Sequence, residues 1–141
     1  MISIMADADF QGQFERILSC CQSQPWLAFF EDLDVQIKTF RELGFAPETR
    51  DDVVFERCQA EGIQLLTANR NHDGEYSLEA TLRCNPQSLY PVFTIPDAQR
   101  LMNDSRYLNL VTEHLLESLF DFRERPSDFV GLGRIHLPKR V

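Results

Sequence analysis

An α/β fold, built as a three-layer sandwich around a mainly parallel central sheet, is the class this sequence predicts. Short apolar runs suited to strands alternate with stretches whose apolar residues recur at helical spacing, through most of the chain. The run Ile63 to Leu66 breaks at Thr67 into a dense polar stretch, the pattern of a buried strand feeding a loop. Neither an internal repeat nor a low-complexity tract nor a linker divides the 141 residues, so a single domain is expected.

The elements follow in order. Ile2, Ile4 and Met5 form a short first strand ending as the chain reaches Asp7 and Asp9. Phe10, Phe14, Ile17, Leu18 and Cys21 recur at helical spacing, which puts Gly12 in the opening turn of a first helix. Pro25 starts a short helical piece carrying Trp26, Phe29 and Phe30, an aromatic cluster suited to the core. Val35 to Phe40 is the second strand, and Gly44 with Pro47 closes the turn after it. Thr49, Asp51 and Asp52 precede a helix whose apolar face is Val54, Phe55 and Cys58, ending near Gly62.

The central strand, Ile63 to Thr67, follows at once. After the polar loop, Ser77 begins a helix carrying Leu78, Ala80, Thr81 and Leu82, and Pro86 ends it. Pro91 to Ile95 is a fourth strand, and Pro96 with Asp97 opens a short helix toward Met102. Asp104 and Ser105 cap the helix of clearest period, through Leu108, Val111, Leu115, Leu119 and Phe122. His114 borders that stripe as a packing or rim histidine. Arg123 to Pro126 mark a loop, and Arg134 to Leu137 an edge strand.

Composition narrows the function. Against 14 basic residues stand 22 acidic ones, a net charge of −8 that repels phosphate backbones at long range and disfavours constitutive DNA binding. No apolar run approaches the ~20 residues that span a bilayer, and the early Asp7 and Asp9 do not suit a signal sequence, so a cytoplasmic protein is expected. Cys20, Cys21, Cys58 and Cys84 form no CxxC pair with zinc spacing and are expected to be reduced. No G-x-S-x-G elbow is present to support acyl transfer by a serine.

The chemistry lies in the loops. In open α/β sheets, ligands bind beyond the carboxyl ends of parallel strands. If the first and third strands are neighbours, Asp7, Asp9 and the loop Asn69 to Asp73 converge at one edge, and the helix opened by Asp51 starts on the same side. Carboxylates gathered in one crevice repel each other unless a cation neutralises them. Hard oxygen ligands suit Mg²⁺ or Mn²⁺, which in turn suit phosphodiester hydrolysis.

Plainer roles stand beside these. Asp51 alone also reads as a helix cap, and Asp73 before Gly74 as a turn pair. Arg70 can pair with a phosphate or sit in solvent, and His72 is an acid or base candidate by type alone. Asp7 is the acid least explained by a plain role, because a carboxylate ending a buried strand is costly without a partner.

Three segments, DADFQGQ from Asp7, DDVVFERCQAEGIQLLTANRNHDGEYSLEAT from Asp51 and GLGRIHLP from Gly131, resemble PIN-like domain proteins, in a small branch frequent in cyanobacteria. The resemblance implies a parallel sheet flanked by helices and acidic residues holding Mg²⁺ or Mn²⁺ for cleavage of single-stranded RNA. It also implies a toxin role with a neutralising protein partner; a homodimer is the default assembly. Asp7 matches the first-strand acid, Asp51 the acid opening the helix before the third strand, and TANRN the place of a TxDxD pattern. There Asn69 and Asn71 stand where aspartates belong, so Asp73 is expected to restore the charge, with Glu75 and Glu79 as alternatives. The resulting expectation is catalytic and metal-binding roles for Asp7, Asp51 and Asp73, with Asn69, Arg70 and Asn71 on the substrate. The alternative is a PIN-like protein-interaction module that has lost its catalytic charge.

Overall fold

The computed structural model describes residues 2–68 and 77–139. Its strands are β1 (Ile2–Ala6), β2 (Val35–Lys38), β3 (Ile63–Ala68), β4 (Val92–Ile95) and β5 (Arg134–His136). They form one sheet in the order β2-β1-β3-β4-β5, and every pairing is parallel. The winding sense changes between β1 and β3, where crossovers to either side leave a crevice beyond the strand ends.

Helices cover both faces. They are α1 (Gln11–Cys21), α2 (Leu27–Leu33), α3 (Phe40–Leu43), α4 (Asp51–Glu61), α5 (Leu78–Cys84), α6 (Arg100–Asn103) and α7 (Ser105–Glu124). Because successive strand side chains point to opposite faces, each inner strand feeds two cores. Ile4, Ala6, Leu66, Phe93 and Ile95 pack with Phe14 and Ile17 of α1 and with Val111, Leu115 and Leu119 of α7. Met5, Ile63, Leu65 and Val92 pack with Val54, Phe55 and Cys58 of α4. Strands buried on both faces need near-continuous apolar sequence, which is why β3 and β4 read as runs rather than alternations.

Local chemistry moves several boundaries. The second strand stops at Lys38 instead of reaching Phe40, because Thr39 caps α3 and its Oγ1 accepts from Glu42 N–H at 3.1 Å. Phe40 is thereby turned into the core beside α4. Asp51 lies in the first turn of α4 rather than before it. Arg123 and Glu124 belong to α7, and Pro126–Phe129 make a 3-10 turn that buries Phe129 against Phe122, ring centroids 5.3 Å apart, where a loop was expected.

His114 packs as expected. It is buried on α7, and its Nδ1 accepts from Lys139 N–H at 2.8 Å, fixing the chain after β5. All four cysteines are free thiols; burial pushes Cys21 up to about 12. No helix among the described residues is long and apolar enough to cross a membrane.

The turn from α4 into β3 depends on Gly62. Its φ is +71°, and a Cβ there would lie 3.2 Å from the Tyr90 hydroxyl. Gly62→Ala is therefore expected to cost about 1–2 kcal/mol for the left-handed backbone alone. A lower urea midpoint with an unchanged slope is the readout.

Candidate functional site

The site begins where β1 stops. Asp7 N–H donates to Leu66 O at 2.8 Å, extending the β1–β3 pairing one step and placing Asp7 beside Thr67 at the carboxyl edge. From there Asp7 caps a 3-10 turn, Ala8–Phe10, with Oδ1 accepting from Ala8 N–H at 2.9 Å. Its Oδ2 accepts from the Thr67 hydroxyl at 3.0 Å. Gln11 pins the same turn by donating from Nε2 to Ala6 O and Asp7 O, and the fully buried Phe10 anchors it from below.

Asp51 arrives from the first turn of α4, whose amino end lies at this edge because the helix runs back to feed β3. It caps a helix, but not its own. Asp51 Oδ2 accepts from Leu78 N–H at 3.2 Å, tying the start of α5 to α4. Neighbouring Asp52 faces Arg50 instead, with Arg50 Nε donating to its Oδ1 at 3.1 Å.

Together Asp7, Asp9 and Asp51 line a cleft of about 110 Å³, with Thr67, Ala68 and Leu78 on its walls. Arg134 also lines it, reaching in from β5 while ion-paired to Glu79 of α5. Burial holds the Asp7 carboxyl above the usual carboxylate range; the neighbouring Asp9 and Asp51 charges act in the same direction. The Ala8 N–H and the Thr67 hydroxyl pull it down without overcoming the rest. Burial, then the Asp7 charge, pushes the thiol of Cys58, a core residue of α4, up to about 12, so that sulfur is inert and not a nucleophile.

The acids that sequence placed at one edge do meet there: Asp7, Asp9 and Asp51 share the cleft. Asn69, Arg70, Asn71 and Asp73 lie outside the described residues, as do His72 and Glu75. Ala68, the last described residue before them, and Leu78, just after them, both line the cleft. Among the described residues, no group of three or more His, Cys, Asp and Glu side chains is disposed to hold a metal ion.

Two contributors escaped sequence reasoning. In the sequence Thr67 marks only the end of a strand, yet its hydroxyl orients Asp7. In the sequence Arg134 marks only the start of an edge strand. The available signal was its alternation with Ile135, which packs on the α1 and α7 side and so leaves Arg134 on the cleft side. No known family profile, curated protein or solved structure matches this chain.

Proposed function

We propose that the chain is a PIN-like, metal-dependent nuclease that hydrolyses phosphodiester bonds in single-stranded RNA. The observation that carries this reading is the Asp7 carboxyl, held above its usual range in a cleft it shares with two further acids. Such a group is under-compensated by protein alone. A divalent cation supplies the missing charge and favours its ionised form.

The residues fit Mg²⁺ or Mn²⁺ in kind. Mg²⁺ is commonly held by one or two carboxylates and several waters, with substrate phosphate completing its shell, rather than by an all-protein cage. Asp7 and Asp51 are the two cleft carboxylates that match the PIN-like acids, and Asp73 is assigned as a third ligand that replaces the charge missing at Asn69 and Asn71. When bound, the ion would polarise a phosphoryl oxygen and lower the pKa of a coordinated water. The chain's own part is to fix the acids. Thr67 and Ala8 orient Asp7, and the Leu78 N–H orients Asp51. Asn69, Arg70 and Asn71 are assigned to positioning water and phosphate.

Purified protein is expected to cleave single-stranded RNA only when Mn²⁺ or Mg²⁺ is present. Failure to cleave any member of a broad RNA panel would contradict this. Growth arrest on expression, relieved by a co-expressed neighbouring gene, would add the toxin role.

A second reading has a specific observation behind it. The described residues contain no complete metal-holding group, and asparagines stand at two of the expected acid positions. A PIN-like interaction module without catalysis matches both. Calorimetric titration separates the two readings, since the nuclease site takes up Mn²⁺ at millimolar concentration and the module does not.

A further inference from the structure

We infer that the face formed by Leu89, Val130 and Leu132, with the groove beside them, is where a second copy of this chain docks to make a symmetric dimer. Leu89 and Leu132 are each 53% exposed, the most of any large apolar side chain among the described residues, and Val130 is 42% exposed. They sit in two loops that are bonded together: Gly131 N–H donates to Ser88 O at 2.9 Å, and Val92 N–H to Gly133 O at 2.8 Å. Gly131 lies so close to the first loop that a Cβ on it would come 3.0 Å from Pro86 O. The three side chains therefore belong to one patch. Leu110 and Phe120 differ, being about three turns apart on α7, with Arg123 over the Phe120 ring at 5.2 Å.

Charge selects the occupant. The groove beside the patch, about 370 Å³ and lined by Phe55, Cys84, Pro86 and Leu89 among others, has no Asp, Glu, Lys or Arg in its lining. Residues 84–96 and 129–133 contain none either, in a chain where charged residues make up 26% of the sequence. A net charge of −8 makes copies of the chain repel each other, so two copies approach most easily where neither bears charge. A basic partner would be drawn to the acidic surface and finds nothing here to pair with. Shape agrees with a second copy. A two-fold contact brings the same patch of both molecules together, so that patch must hold both its projections and the recess that receives them. Here Val130 and Leu132 project near a groove of which Leu89 is one wall. The two loops enter the sheet at the amino ends of β4 and β5, whereas the acidic cleft opens beyond the carboxyl ends of β1 and β3. The dimer thus leaves both clefts uncovered and is independent of what they do.

Sedimentation velocity of the full chain over a dilution series tests this. The wild type should reach twice the 16.4 kDa of one chain at the concentrated end. Leu132→Glu sets a carboxylate on both sides of a two-fold contact, so the dimer dissociation constant is expected to rise at least about tenfold. Leu89→Glu should act in the same direction, and it carries the test if Leu132→Glu does not fold. Leu110→Glu, on an exposed part of α7, should leave the dimer unchanged. Added salt should strengthen the association, because it screens the repulsion between acidic copies and there is no ion pair in the face to weaken. Cys84, an exposed thiol lining the groove, supplies a local readout. Its reaction with a maleimide should slow where the wild-type dimer dominates and stay fast in Leu132→Glu at the same concentration.

A wild type that remains monomeric throughout the series overturns the inference. So does a dimer whose affinity is the same in Leu132→Glu and Leu89→Glu, or one that salt dissociates, since either would use another face.

Discussion

Asp7→Asn is expected to abolish metal-dependent RNA cleavage while making the metal-free protein more stable. The opposite signs have one source. In the folded chain the Asp7 carboxyl is disfavoured in its charged form, first by burial and then by Asp9 and Asp51. An amide removes that cost. It also keeps both hydrogen bonds: the Asn oxygen accepts from Ala8 N–H, and the Asn NH₂ donates to Thr67 Oγ1, because a hydroxyl can donate or accept. What is lost is the charge a cation needs. Removing an outer partner of a metal ligand already costs about 10–100-fold in affinity or activity, so loss of a ligand should exceed about 100-fold. Single-turnover cleavage and thermal unfolding in chelator measure the two effects.

The same carboxyl sets a pH dependence whose sign is fixed. A raised folded-state pKa means that, between the ordinary carboxylate range and the raised value, the native state binds more protons than the unfolded state. Stability then falls as pH rises through that window. The slope should vanish in Asp7→Asn and shrink in Mn²⁺. Asp104 acts in the other direction: the Tyr107 N–H, then Arg100, holds its carboxyl below the usual range. Its contribution is present above that range and is lost as pH falls.

Phe10→Ala is expected to cost about 3–5 kcal/mol, the usual penalty for deleting a buried aromatic ring. That is a large share of the about 5–15 kcal/mol that typically holds a domain together. Phe10 is fully buried among the strands, α1 and α7, and it ends the 3-10 turn that Asp7 caps. The cavity would therefore loosen the turn carrying Asp7 and Asp9 as well as the core. Urea unfolding should show a much lower midpoint, and Mn²⁺ affinity should fall in whatever fraction remains folded. Phe120→Ala is the control, since that ring is partly exposed on α7 and should cost far less.

Much of the architecture was legible because it depends on local pattern. Ile2 to Met5, Ile63 to Thr67 and, after Pro91, Val92 to Ile95 each lie in strands, and the apolar period through Leu108, Val111, Leu115 and Leu119 is the buried face of α7. The side-by-side parallel placement of β1 and β3, which crossover topology allows without requiring, brings Asp7 to Thr67. What was not legible required knowledge of what a side chain does across space. Thr39 reads equally well as strand or cap, and only its bond to Glu42 ends β2 early. Asp51 was recognisable as a capping acid, but nothing local says that the helix it caps is α5. Arg134 joins the cleft from 127 positions beyond Asp7 in the numbering, and no spacing rule links the two.

Paramagnetic line broadening tests the cleft most directly. Mn²⁺ added at substoichiometric amounts to ¹⁵N-labelled protein should first erase the amide signals of Asp7, Ala8, Asp9, Asp51 and Thr67, and Asp7→Asn should preserve them. Broadening that begins at other acidic surfaces, or that is the same in Asp7→Asn, would contradict a cation site at the ends of β1 and β3.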